Sequence, residues 1–270
     1  MKYKLLALDM DGTLLNSEKK ISPKTARAIA ELSKRGVFVT LSTGRGYTEI
    51  LDYKDILSSI NYGVLVSGGY VYDFANEKII TIHPLTENLL LELVDAALTE
   101  NAMIHILTVN KSLMNHADIE HIEDFHMEIY KDMYERVCTN CRDFKKYIRE
   151  NPGKIMKFNI YHRTPESRQR TLDKFKNAPI TFSYAEETSL EASPKNISKA
   201  SGLIELCEFL KIDISETVAV GDAQNDTEVL QTAGFSVAMG NATPEIKKIA
   251  DYITADNDND GIVEVIEKFF

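Results

Sequence analysis

At 270 residues the chain can bury one large core or two modest ones, and 44% hydrophobic with 27% charged residues is the balance of an ordinary globular protein. A net charge of −10 excludes an extended nucleic-acid surface, which needs clustered Lys and Arg, but leaves room for a local cationic pocket around a small phosphorylated ligand. No run approaches the roughly 18 apolar residues of a membrane span, the apolar stretch ahead of Asp9 is too short for a signal-peptide core, and 3 cysteines make no disulfide framework, so the expected setting is the cytoplasm.

Leu5–Leu15 reads LLALDMDGTLL. An apolar run leads into Asp9, Asp11 follows, and Gly12-Thr13 turns the chain, which predicts a short strand buried on both faces with two carboxylates at its carboxyl end. Ser22-Pro23 starts a helix that Arg35-Gly36 ends. Val37–Leu41 is a second strand with Ser42-Thr43-Gly44-Arg45-Gly46 directly after it. A helix is predicted over Tyr47–Leu57 and a third strand over Tyr62–Val66, ended by Ser67-Gly68-Gly69. Strand and helix in alternation is the mark of parallel βαβ units.

The rhythm then changes. Tyr70–Asp73 and Lys78–His83 read as a hairpin, Leu89–Leu98 as a helix, and Ile104–Val109 with Leu113–His116 as paired strands around Asn110-Lys111. Ile119–Tyr130 is a helix candidate. Lys154–His162 is a strand, Glu166–Lys176 a polar helix, and Ile180–Tyr184 and Ser189–Ala192 are extended. Short connections with helices between predict an α+β module with an antiparallel sheet. From Ile197 the βα alternation resumes, with helices over Ser201–Leu210, Thr227–Ala233, Pro244–Ala250 and Ile262–Phe269 and strands over Thr217–Val220 and Phe235–Met239. Asp256–Gly261, DNDNDG, has the look of a calcium loop but lacks the later Glu at the right spacing, so a solvated turn is expected. The expected organisation is a discontinuous parallel α/β core over residues 1–83 and 187–270, Rossmann-like with helices on both faces, and an inserted α+β cap over 84–186.

Four stretches bring chemistry to strand ends or helix starts: Asp9-Met10-Asp11, Ser42-Thr43-Gly44-Arg45, Ser198-Lys199 and Gly221-Asp222-Ala223-Gln224-Asn225-Asp226. Singly each is weak, since a DxD pair is commonly a turn and GDxxND a helix cap. Together they differ. Both acidic stretches follow apolar strands and should reach the same sheet edge. Carboxylates converging there need a cation, and an all-oxygen set selects a hard one such as Mg²⁺. A hydroxyl at a Gly turn and a Lys supply donors to phosphate oxygens. These are the parts of a phosphoryl-transfer site.

At this point the chain resembles the haloacid dehalogenase superfamily: Asp9-Met10-Asp11-Gly12-Thr13, Ser42-Thr43-Gly44-Arg45, Lys199 and Gly221–Asp226 look like its four motifs. Their order and the inserted module are similar to its Cof-type phosphatases, as are Val237-Ala238-Met239-Gly240-Asn241-Ala242 and Asp260-Gly261. The resemblance implies that Asp9 is the nucleophile and forms an aspartyl-phosphate. It implies that Asp11 is the general acid and then base, and that Thr43 and the Gly44 amide bind phosphoryl oxygens. Lys199 then pairs with Asp9, Asp222 binds Mg²⁺ with Asp9 and the Asp11 carbonyl, and Asp226 holds metal waters or Lys199. Asn225 and the Met10 amide would face phosphate, with Arg45 next to the turn. Two places depart from the usual pattern: Gly68-Gly69-Tyr70 stands where Asn-Gly-Ala is common, and Ala223 where Ser is common.

The implied partner is a small phosphorylated metabolite, sugar phosphates first, with neither nucleic acid nor membrane, on a monomer or weak homo-oligomer. A phosphomutase on the same core, returning the phosphoryl group through Asp11, and a non-enzymatic receiver-type phospho-acceptor are the other readings. Cys138-Thr-Asn-Cys141 is a C-x-x-C without a second pair or a His at zinc spacing, and Cys207 lies on an apolar helix face. His105, His116, His121 and His126 are expected to be solvated or satisfied in the core, and Lys157 and Asn110-Lys111 are possible substrate contacts.

Overall fold

In chain order the strands are β1 (Leu5–Leu8), β2 (Phe38–Ser42), β3 (Tyr62–Leu65), β4 (Tyr70–Asp73), β5 (Lys78–Ile82), β6 (Met103–Thr108), β7 (Ser112–Met114), β8 (Cys138–Asn140), β9 (Ile155–Tyr161), β10 (Ile180–Ser183), β11 (Ser189–Pro194), β12 (Thr217–Gly221), β13 (Phe235–Ala238) and β14 (Tyr252–Ile253). The computed structural model describes residues 2–184 and 187–270. Met1 and Glu186, two of the limits drawn from the sequence, lie outside the described residues.

The chain divides into two compact units. One comprises Met1–Gly44, Asp52–Ile82 and Ile197–Phe270; the other comprises Arg45–Leu51 and His83–Asn196. The first holds an 8-stranded sheet in the order β14-β13-β12-β1-β2-β3-β4-β5. From β14 to β3 every pairing is parallel, and β4 and β5 add an antiparallel edge. β1 is buried along its whole length because both faces of a central parallel strand are covered, which is why LLAL carries no polar alternation. β2 continues the chain on one side of β1 and β12 returns on the other. That reversal of strand order opens a crevice beyond the carboxyl ends, the place where such sheets bind ligands.

Local chemistry explains the flanking helices. Ser22 caps Pro23–Lys34 by accepting from the Thr25 amide, and Pro23 sits at the first turn, where its missing N–H costs nothing. Helix Pro23–Lys34 packs with Gly261–Phe269, and Lys199–Leu210 packs with Thr227–Thr232. The helix predicted over Tyr47–Leu57 is broken into Tyr47–Ile50, a 3₁₀ turn Leu51–Tyr53, and Lys54–Leu57. No helix among the described residues is long and apolar enough to cross a membrane.

The second unit holds a 6-stranded sheet in the order β10-β11-β9-β6-β7-β8, antiparallel except for the β7–β8 pair. One face is apolar: Ile104, Ile106, Leu113, Phe158, Ile160, Leu190 and Ala192 join the core formed with helices Glu87–Thr99 and Phe144–Glu150. The alternate residues make the other face polar but buried, with His105, Ser112, Lys157 and Asn159 all closed off from solvent. The helix expected over Ile119–Tyr130 is not continuous. His116–Glu120 is followed by 3₁₀ turns Ile122–Phe125 and Glu128–Tyr130, with His126 left-handed between them at φ 58°. Ile119, Ile122, Phe125 and Met127 are buried together with Met103, Met114 and Tyr161, a spacing that a single α-helix would not bring to one face.

Candidate active site

Three parallel strands end side by side, and each delivers one polar group. Leu8 is in register with Leu41 on β2 and Val220 on β12, so the residues after each strand meet at one edge. Asp9 follows β1, and its amide donates to the Val220 carbonyl at 3.1 Å. Thr43 follows β2, with its amide on the Val64 carbonyl at 3.0 Å. Asp222 follows β12. Helix Lys199–Leu210 adds Lys199 at its first turn, behind the Ser198 cap.

The acidic groups and the lysine form one buried cluster. Lys199 Nζ donates to Asp9 Oδ1 at 2.6 Å and to Asp226 Oδ1 at 2.7 Å. Lys199 and Asp226 are 1% and 0% exposed, so the ammonium is held wholly by carboxylates rather than water. The other oxygen of Asp226 accepts from the Asp222 amide at 3.0 Å and the Ala223 amide at 3.2 Å, which locks the turn after β12. Thr13 donates to Asp222 Oδ1 at 2.8 Å. Gly221 has no room for a side chain because Asp226 occupies the space a Cβ would need.

Burial is the largest influence on Asp9 and pushes its carboxyl well above the usual range; Lys199 opposes this and Asp226 adds to it. Burial also pushes Asp222 up to about 6, against the Thr13 hydrogen bond. Burial alone would depress the Lys199 ammonium, but Asp226 and Asp9 overcome it and hold the pKa above its ordinary value. Lys199 thus lies among three carboxylates, with burial the main cause of the rise at Asp9 and Asp222 and the neighbouring carboxylates adding to it. Ligand oxygens of Asp9, Asp222 and Asp226 lie within 4.8 Å of one another. Three hard oxygen donors with uncompensated charge fit a divalent cation of the Mg²⁺ class.

The remaining sequence candidates are placed as follows. Asp11 does not join the carboxylate triad; its Oδ1 pairs with Lys19 Nζ at 2.9 Å. Met10 is buried and its carbonyl accepts from the Thr13 and Leu15 amides at 3.3 and 2.8 Å, closing the turn that carries Asp11. Gly44 is half-buried beside Thr43, and Asn225 is exposed on the 3₁₀ turn Gln224–Asp226. Arg45 belongs to the second unit, where its guanidinium donates to the Glu49 carbonyl at 3.3 Å.

A strained turn after β3 supports this cluster. Val66, Ser67 and Gly68 have φ of 54°, 55° and 89°, and such left-handed backbone is unusual for a β-branched residue. The Ser67 amide donates to the Thr43 carbonyl at 2.8 Å, and a Cβ on Gly68 would overlap the Ser198 carbonyl. The turn therefore touches both the Thr43 loop and the start of the Lys199 helix.

The weaker candidates resolve into structure. Lys157 pairs with Glu191 at 2.6 Å and is 1% exposed. His105 bonds Ser112 at 2.6 Å, and burial depresses its imidazole to about 3. Burial pushes the Cys138 thiol up to about 12 and raises Cys141 too, so both stay protonated and unreactive.

A family model of haloacid dehalogenase-like hydrolases matches residues 6–266. A 5-amino-6-(5-phospho-D-ribitylamino)uracil phosphatase of Bacillus subtilis is 28% identical over 264 residues, spanning 97% of this chain and 94% of its own. A haloacid dehalogenase-like hydrolase of Bacteroides thetaiotaomicron superposes with a TM-score of 0.86 at 26% identity, covering 99% of this chain and 100% of its own. A subclass IIB sugar phosphatase shares the fold with a TM-score of 0.83 at 21% identity, with 98% of each chain covered.

Proposed function

This chain belongs to the haloacid dehalogenase-like hydrolases and is a phosphatase, and from that premise we propose that it hydrolyses a small phosphorylated metabolite, a sugar phosphate first, through an aspartyl-phosphate on Asp9. The observation that carries this reading is the buried Asp9–Lys199–Asp226 set, with Asp222 beside it at the end of the parallel strands. A carboxylate can attack a phosphate dianion only where cationic groups offset the repulsion. Asp9, Asp222 and Asp226 would hold Mg²⁺, with the Asp11 carbonyl as a further ligand; the ion supplies charge neutralisation and a template for the phosphoryl group.

The residues then divide the work. Asp9 attacks phosphorus as the bond to the leaving oxygen breaks, and Asp11 gives that oxygen its proton. Asp11 next takes a proton from water as the water oxygen attacks the aspartyl-phosphate, releasing inorganic phosphate and restoring Asp9. Thr43 and the Gly44 amide bind phosphoryl oxygens, helped by the Met10 amide and Asn225. Lys199 keeps Asp9 ionised and oriented. We further propose a cytoplasmic enzyme that acts as a monomer or weak homo-oligomer.

A panel of phosphomonoesters assayed for phosphate release with Mg²⁺ tests this. Sugar phosphates should lead the panel, Asp9→Asn should abolish turnover with the fold intact, and EDTA should stop the reaction. Turnover by Asp9→Asn overturns the nucleophile; activity that survives thorough chelation overturns the metal. Conversion of a sugar phosphate to its isomer without phosphate release would mark a mutase instead.

A further inference from the structure

We infer that the Asp256–Gly261 loop, together with Asn241, is a clasp that positions Asp11 for proton transfer; this rests on the acid–base role given to Asp11 above. The acidic loop expected to be a solvated turn is in fact bonded along the whole segment that follows β1. Asn241 Nδ2 donates to the Gly12 carbonyl at 2.8 Å. Asn241 Oδ1 accepts from the Asn257 amide at 3.1 Å, and Asn257 Nδ2 donates to the Leu15 carbonyl at 2.9 Å. The two carbonyls on the C-terminal side of Asp11 are thereby held by side-chain amides that are tied to each other.

The contacts continue outward. The Ser17 amide donates to Asp258 Oδ1 at 2.8 Å, and the Ser17 hydroxyl donates to the other Asp258 oxygen. Asp260 accepts from Ser22 Oγ at 2.5 Å and Thr25 Oγ1 at 3.3 Å, at the start of helix Pro23–Lys34. Asp256 shapes the loop itself, accepting from the Asp258 amide at 3.1 Å and Asn259 Nδ2 at 2.7 Å. These carboxylates meet amide and hydroxyl donors from the Ser17–Thr25 stretch and from their own loop.

Such a clasp has a task. The segment between Asp11 and Lys20 forms no strand; a lone bridge joins Asp11 and Leu15. Lys19, which pairs with Asp11 at 2.9 Å, rides on the same segment, so that ion pair moves with it and does not fix it to the sheet. A general acid works only when its carboxyl stays within hydrogen-bond reach of the leaving oxygen. The Asn241, Asn257 and Asp258 bonds couple the Asp11 segment to the residues that follow β13 and to the loop that leads into helix Gly261–Phe269.

The test uses leaving-group dependence in kcat/KM, which reports the first chemical step. An aryl ester such as p-nitrophenyl phosphate needs little proton donation, whereas glycerol phosphate needs it fully. Asp11→Asn is the reference and should lose about 100-fold or more on glycerol phosphate and far less on the aryl ester. Asn257→Ala and Asp258→Ala should each lose about tenfold on glycerol phosphate and stay within about twofold on the aryl ester. Asp258→Asn, which keeps an acceptor for the Ser17 amide, should remain near wild type on both. Equal losses on the two substrates, or no loss on either, overturn the clasp while leaving the role of Asp11 intact. An Asp11→Asn variant without leaving-group selectivity overturns the proton-transfer role and the clasp with it.

Discussion

Gly12 lies so close to Asp222 that a Cβ on it would overlap the carboxylate Oδ2, and its φ of 79° is one that side chains resist. The turn after Asp11 thus fixes where the Asp222 carboxylate can be. Gly12→Ala should push Asp222 out of the triad and raise the Mg²⁺ concentration for half-maximal activity by about tenfold or more, since small displacements of such groups cost that much. A metal titration of the variant against wild type checks this; an unchanged midpoint would refute it.

Lys199 separates two buried carboxylates. Replacing it with Met keeps the volume but leaves Asp9 and Asp226 facing each other without a cation, a loss of about 3–5 kcal/mol for a broken buried pair. Urea unfolding without metal measures that loss. Adding Asp226→Asn in the same background should recover part of it, so the double variant should fall short of the sum of the single losses. Strict additivity would mean that the contacts at 2.6 and 2.7 Å are not coupled.

Removing metal should also be visible without an assay. A cation bound to Asp9, Asp222 and Asp226 stabilises the folded chain by mass action, about 3 kcal/mol at 100 times its dissociation constant. The thermal midpoint should rise with Mg²⁺ and fall back with EDTA, and the rise should be smaller in Asp222→Asn. A midpoint indifferent to both additions would count against the triad as a metal site.

His105 gives the second unit a pH dependence whose sign follows from burial. Its imidazole is depressed from 6.5 to about 3, so the unfolded chain takes up a proton that the folded one refuses. Stability is complete above pH 6.5 and falls toward pH 3, by up to about 1.4 kcal/mol per pH unit. Glu49, raised chiefly by its own burial, pulls the other way as the pH falls into the carboxylate range. His105→Gln should flatten the decline between pH 6.5 and 5, read by denaturant midpoints; an unaltered slope would assign it elsewhere.

The core and the placement of its candidate residues were legible because they rest on local patterns. Continuous apolar runs marked β1, β2 and β12, and Ser22-Pro23 marked the first helix. Asp9, Lys199 and Asp222 followed from strand ends and motif order. What escaped depends on distant partners. β8 is 3 residues long and exposed over Thr139 and Asn140, and β14 is 2 residues long, so neither carries a readable period. Helix Phe144–Glu150 buries just Phe144 and Ile148. Lys157 read as a possible substrate contact because its partner, Glu191, arrives from another strand. DNDNDG read as solvated because the donors that meet it are some 240 residues away in the sequence, as with Ser17 and Asp258 at a separation of 241.

The placement of β12 against β1 also sets an order of events at the ribosome. Leu5 pairs with Thr217, so the strand that leads into Asp9 is flanked on one side only until most of the chain has been made. During that time β1 presents an open edge of apolar strand, the kind of surface that aggregates or recruits chaperones. The second unit, drawn chiefly from the uninterrupted stretch His83–Asn196, completes its sheet with β11 at Pro194, ahead of β12 at Thr217. Synthesis therefore yields the insertion inside an unfinished parallel sheet, and truncation anywhere before β12 leaves Asp9 without Asp222 and Asp226.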